Sequence, residues 1–154
     1  KGIKLTVSKW KRPSPESAPT DSKAAGLYMI CSLSKHKAEQ AGFDDALMLD
    51  YRGYIAEATG ANIFFVKDKE IFTPKPDCFL NGITRQTVIE IAKENKIKVN
   101  EDYFKFDFLR SCSEVFLTGT AVEITPVKSI DNFVFEKRDL TKLLISEFKK
   151  RVIG

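Results

Sequence analysis

Four short stretches carry residue types that could do chemistry together. In TDSKAAGLYMI, residues 20–30, Lys23 stands among Ala24, Ala25 and Gly26, where an apolar helix starts. The helix macrodipole disfavours a cation at that end, so the placement asks for a reason. The dipole and the small-residue wall would both lower the lysine's pKa, and a neutral amine is the nucleophile that forms a Schiff base. A lone lysine is ordinarily a solvated surface residue, so Lys23 acquires meaning only from the other three stretches.

In FLNGITRQT, residues 79–87, Gly82 allows a tight turn. Ile83 and Thr84 offer amides at a helix start, and Thr84 adds a hydroxyl. Such a turn suits a phosphate, although a plain helix N-cap has the same pattern. In LTGTAVEITPV, residues 117–127, a strand ends and the chain turns through Thr118, Gly119 and Thr120. That turn is either an anion-binding nest or a simple hairpin. Glu57 interrupts the apolar strand pattern of GYIAEATGANIF. By itself it is equally an acid on a solvent-facing strand position. Neither GxGxxG nor GxxxxGK[ST] occurs, which argues against dinucleotides and nucleoside triphosphates. A Schiff-base lysine, an acid for a pyridinium nitrogen and two phosphate-binding turns are together what pyridoxal phosphate requires.

The rest of the composition narrows the alternatives. The chain has 154 residues, 43% hydrophobic and 30% charged, enough for one domain with a sizeable core. The net charge is +4 and the lysines are spread along the chain, which argues against a nucleic-acid partner. No apolar run approaches the roughly 20 residues that span a bilayer, and no signal peptide is recognisable. A cytoplasmic protein without membrane contact is expected. Cys31, Cys78 and Cys112 are odd in number and form no CxxC pair, so they read as buried free thiols. His36 is the single histidine, and no metal site is expected. The start, KGIKLTV, enters a strand pattern at once and lacks a methionine, as the middle of a longer protein would.

The elements that must position these residues follow from periodicity. Ile3, Leu5 and Val7 alternate as a strand, and residues 11–21, with three prolines, read as an extended loop. A helix is expected from Ala24 to Gln40, closed by Gly42, then strands over 46–50, 54–58, 61–68 and 70–73. The last two should pair across Asp68 and Lys69. Residues 73–82 read as a loop, Thr84 as the N-cap of a helix to Asn95, 97–99 as a short strand and 106–111 as a helical turn. Strands over 114–119 and 121–127 and a helix over 140–152 complete a mixed α/β, strand-rich chain with three main helices.

The stretches SKWKRPSPESAPTDSKAAGLY, DDALMLDYRGYIAEATGANIFFVKD, LNGITRQTVIEIAKE and VFLTGTAVEITPV run in order from about residue 8 to residue 128. In order and spacing they resemble the class IV, fold type IV pyridoxal-phosphate aminotransferases, most closely the branched-chain amino acid group. The resemblance implies that residues 1–154 form the large C-terminal domain of that architecture, a strand-rich pseudo-barrel with flanking helices. The family's small N-terminal domain, with a phosphate-binding arginine and much of the side-chain pocket, would lie off this chain.

The implied activity is transfer of the amino group of leucine, isoleucine or valine to 2-oxoglutarate. Partners would be small amino acids and 2-oxo acids, and a second copy in a homo-oligomer. A D-amino-acid aminotransferase, an aminodeoxychorismate lyase, or an inactive cofactor-binding or dimerising module are the alternatives. Residue by residue, Lys23 matches the lysine that binds the cofactor covalently and moves the proton. Tyr28 matches the tyrosine on the cofactor's phenolic oxygen, and Glu57 the glutamate on the pyridine nitrogen. Leu80 matches the residue packed on the ring. Gly82, Ile83, Thr84, Gly119 and Thr120 fall in the phosphate-binding turns, and Thr120 and Ala121 where the substrate carboxylate is received. Ala61 stands where many relatives carry a glutamate.

Overall fold

The structure is a computed structural model. It describes residues 2–14, 20–77, 79–120 and 123–153, with the side chains of 20–28 and 153 outside the description. The strands, in chain order, are β1 (Ile3–Arg12), β2 (Asp45–Asp50), β3 (Ile55–Ala58), β4 (Asn62–Lys67), β5 (Glu70–Pro74), β6 (Val99–Asp102), β7 (Glu114–Gly119), β8 (Glu123–Ile130) and β9 (Phe133–Val134). The helices are α1 (Thr20–Gln40), α2 (Ile83–Glu94) and α3 (Asp139–Ile153), with a 3-10 turn at Phe106–Ser111.

Among the described residues the strands form one sheet in the order β3-β2-β1-β8-β7-β4-β5-β6, with β9 pairing to β8. β1 runs parallel to both its neighbours, and β5 parallel to β6. The β2–β3, β4–β5, β4–β7, β7–β8 and β8–β9 pairs are antiparallel. β3 and β4 are consecutive in the chain, yet four strands stand between them in the sheet. In a flat sheet that separation would be about 24 Å, at the usual strand spacing. The four steps from Ala58 to Asn62 reach at most about 14 Å. The sheet therefore curls into a half-barrel, closed by the turn Thr59–Ala61, where the Ala58 amide donates to the Ala61 carbonyl at 2.9 Å.

Both faces of the curled sheet are covered, which explains why β4 and β7 are continuous apolar runs. Ile63, Phe65, Val115 and Leu117 point into the barrel with Leu5, Leu47, Phe104 and Leu109. Phe64, Val66 and Phe116 point outward against Val88, Ile91, Ala92, Leu144 and Phe148 of α2 and α3. The Phe64 and Phe116 rings stack at 5.0 Å. β4 and β5 join through Asp68 and Lys69, both at positive φ, the geometry that suits the strands' twist. Gly42 at φ +91 ends α1, with its amide donating to Glu39 and that of Phe43 to Ala38, a Schellman closure.

Several expected boundaries move. Lys11 and Arg12 are strand, not loop: β1 pairs with β2 through Arg12 opposite Asp50, and sheet pairing overrides the nearby prolines. α1 starts at Thr20, four residues before the expected Ala24, so Lys23 lies in its first turn. The cap of α2 is Gly82 at φ −63, ψ 154, with no side-chain cap; Thr84 is already helical because Gly82 carries the chain into the helix two residues earlier than expected. β6 begins at Val99, the end of the expected 97–99 strand, because its register with β5 starts at Ile71 opposite Val99. β9 was not expected; two residues are too few for a readable alternation. Cys31 and Cys112 are half-buried free thiols, and Cys78 lies outside the described residues.

Candidate active site

The turn that closes the half-barrel also floors a cavity of about 480 Å³. Three segments meet there. Glu57 and Thr59–Asn62 come from β3, the closing turn and β4. Leu80 and Gly82–Arg85 come from the loop into α2, and Thr118–Thr120 from the end of β7. Arg12 of β1 and Cys31 of α1 complete the wall.

Glu57 is only 7% exposed, since β3 is buried along its length. Its Oε2 meets Arg12 Nη1 at 2.7 Å, and Arg12 is 5% exposed. Burial pushes the Glu57 carboxyl up to about 7. Arg12 opposes that rise and Asp45 adds to it. Glu57 is thus poised near neutrality, and a cation placed against it would hold it ionised. Arg12 Nη1 also donates to Cys31 Sγ at 3.3 Å. Burial raises the Cys31 thiol, with Arg12 pulling the other way.

The loop ahead of α2 is held by side chains from elsewhere. Asn62 Nδ2 donates to the Leu80 carbonyl at 2.9 Å, and the Gly82 amide donates to Asn62 Oδ1 at 3.2 Å. Arg85, 1% exposed, donates to Asn81 Oδ1, to the Pro74 carbonyl and to Glu101 Oε1. These ties leave the first amides of α2 facing outward, since a helix start has no internal partner for them. Leu80 and Ile83 are each 83% exposed, so these two apolar side chains offer no core contact in place of the polar ties.

Glu57, Leu80, Gly82, Ile83, Thr84, Gly119 and Thr120, all singled out from the sequence, line this one cavity. Lys23 and Tyr28 lie on α1, with side chains outside the description, and Ala121 is outside the described residues. Arg12 and Asn62 were not singled out for chemistry from the sequence, and Thr118 only as part of the candidate anion-binding turn. Arg12 was hidden by the proline-rich segment beside it. Asn62 had a signal, a polar residue opening the apolar run NIFFV. Thr118 was read only as part of a turn, whereas it is the last fully buried residue of β7.

The family model for amino-transferase class IV matches residues 1–130. The chain belongs to the class IV aminotransferases. A probable branched-chain-amino-acid aminotransferase of Rickettsia conorii is 46% identical over 156 residues, covering 99% of this chain and 54% of the relative. The branched-chain amino acid aminotransferase structure from Escherichia coli superposes with a TM-score of 0.88 at 41% identity, over 96% of this chain and 51% of that one. The structure of an aminotransferase from Brucella abortus bound to the co-factor PLP gives a TM-score of 0.91 at 34% identity, over 100% of this chain and 55% of that one. The chain thus spans about half the length of the class IV relatives it matches. The fold is that of fold type IV aminotransferases, a curled strand-rich sheet with flanking helices.

The cavity's chemistry suits a phosphorylated pyridine ring. Thr118 Oγ1 is buried with no hydrogen-bond partner among the described residues, as a group kept for a ligand would be. A Cβ on Gly82 would come within 2.9 Å of Asn62 Oδ1, so a side chain there would push on the asparagine that holds the loop. The described residues hold no cluster that could bind a metal ion and no helix long and apolar enough to cross a membrane.

Proposed function

We propose that this chain is the large, C-terminal, cofactor-binding domain of a pyridoxal 5'-phosphate-dependent branched-chain amino acid aminotransferase. The observation that carries the reading is Glu57: a buried carboxylate at the floor of a cavity, backed by Arg12, with two loop-and-turn segments opposite. The names of the relatives and the PLP bound by the Brucella abortus protein support it. Leucine, isoleucine and valine are the proposed donors and 2-oxoglutarate the acceptor. The small N-terminal domain, the homo-oligomer and a cytoplasmic location belong to the same proposal.

In this reading Lys23 would hold the cofactor covalently and Tyr28 would face its phenolic oxygen. The cofactor supplies an electron sink for the charge left on the substrate's α-carbon. Glu57 keeps a proton at the pyridine nitrogen, which its ionised form favours electrostatically. Leu80 covers the ring face and excludes water. The Gly82–Thr84 and Gly119–Thr120 segments take the phosphate on backbone amides and hydroxyls, as helix starts and nests do. The Thr120 and Ala121 amides receive the substrate carboxylate. Lys23 would also carry the proton to and from the substrate's α-carbon at its Nζ.

The test is amino-group transfer by the complete gene product, loaded with pyridoxal phosphate. Leucine, isoleucine and valine with 2-oxoglutarate should outpace D-alanine. Faster transfer from D-alanine would move the protein to the D-amino-acid branch.

A further inference from the structure

We infer that Asn62 is a positioning residue that aligns the two phosphate-binding segments, an assignment that rests on the cofactor reading above. Asn62 is 6% exposed and opens β4, directly opposite Thr118 of β7 in the strand register. Its backbone is therefore fixed against the strand that delivers Gly119 and Thr120. Its side chain reaches the other way, to a segment about 20 residues distant in the chain, donating to the Leu80 carbonyl at 2.9 Å and accepting from the Gly82 amide at 3.2 Å. One residue thus ties both segments into a single cradle.

The tie is of a kind that a hydrophobic side chain could not make. Asparagine offers a donor and an acceptor side by side, the pattern that a neighbouring strand presents, and it satisfies both backbone groups of the loop at once. Gly82 is fitted to it, since any Cβ there would press on Asn62 Oδ1 at 2.9 Å. With Leu80 and Ile83 both 83% exposed, the loop has no buried apolar side chain at those positions to keep it in place. Between the segments sits Thr118, whose buried hydroxyl has no partner among the described residues, which points to a polar ligand at this junction. Displacing the loop would move the Ile83 and Thr84 amides relative to Thr120, so the phosphate should feel the change more than the ring, which loses only the Leu80 contact.

The test uses the complete gene product with Asn62→Ala and Gly82→Ala, alone and combined. Dissociation constants are measured for pyridoxal phosphate and for pyridoxal, which lacks the phosphate. Asn62→Ala is expected to weaken pyridoxal phosphate about tenfold or more, as loss of a buried hydrogen-bonded pair does, and to weaken pyridoxal by a clearly smaller factor. Gly82→Ala should repeat that selective loss, and the double variant should fall short of the sum, because removing the asparagine frees the space that the new methyl needs. Equal losses for both ligands, or strictly additive losses, would overturn the assignment while leaving the cofactor reading intact. A wild-type protein that bound neither ligand would overturn both.

Discussion

Glu57 carries opposing influences whose balance can be measured. Burial raises its carboxyl from 4.5 to about 7, against the pull of Arg12. A carboxyl raised in the folded state favours folding while protonated; its contribution is full below 4.5 and is lost as pH rises through about 7. Wild type should therefore lose about 3 kcal/mol of stability relative to Glu57→Gln between about pH 4.5 and pH 8, read by urea unfolding. A constant difference across that range would remove the buried ionisation from the account. In the complete, loaded enzyme the same Gln variant should slow transamination by orders of magnitude while still binding cofactor, because it cannot hold the ring nitrogen charged. Arg12→Met leaves the carboxyl without its cation, at a cost of about 3–5 kcal/mol above neutrality and less below about pH 5, where a neutral Glu57 needs no partner. Glu57 was legible in the sequence because an acid breaks an apolar strand pattern. Its partner was not: Arg12 is brought to it by β1, and no local spacing encodes a contact between residues 45 positions apart.

At the scale of elements, the pieces that aim the site start from borrowed caps. α2 has no side-chain cap of its own, and its entry is held from β4 by Asn62, which accepts from the Gly82 amide. α3 is capped from β7: Glu114, 5% exposed, accepts from the Leu140 amide at 3.1 Å, the Thr141 amide at 2.9 Å and the Thr141 hydroxyl at 2.8 Å. An acid at a helix N-terminus also complements the dipole. Glu114→Ala strands three donors at a buried helix start and should cost about 3 kcal/mol in urea unfolding. A cost below about 1 kcal/mol would mean that water replaces the carboxylate. Periodicity made α2, α3 and the central strands legible, since burial on one stripe or on both faces leaves a mark in composition. It misplaced the starts of α1 and α2: α1 already begins at Thr20, and Thr84, which reads as a cap, lies inside α2 because Gly82 takes the cap position. The sheet order was out of reach, as pairing between β1 and β8 depends on closure of the whole half-barrel.

For the whole molecule, the half-barrel places chemistry at its seam. The Thr59–Ala61 turn that forces the sheet to curl is also the cavity floor, so fold and site are one feature. The cavity's rim carries exposed apolar side chains, with Leu80 and Ile83 each at 83%. Such surface normally meets a partner. The 154 residues expressed alone should bind pyridoxal phosphate about ten- to a hundred-fold more weakly than the complete gene product, the effect of one lost charge-assisted hydrogen bond. They should also self-associate in sedimentation and show no leucine transamination; turnover equal to that of the complete product would contradict this. In the proposed function Lys23 on α1 serves the cavity that Glu57 floors. The most direct measurement is borohydride reduction of the complete gene product with pyridoxal phosphate, followed by peptide mapping. The pyridoxyl group should be found on Lys23. A label on any other lysine, with Lys23 unmodified, would contradict the claim.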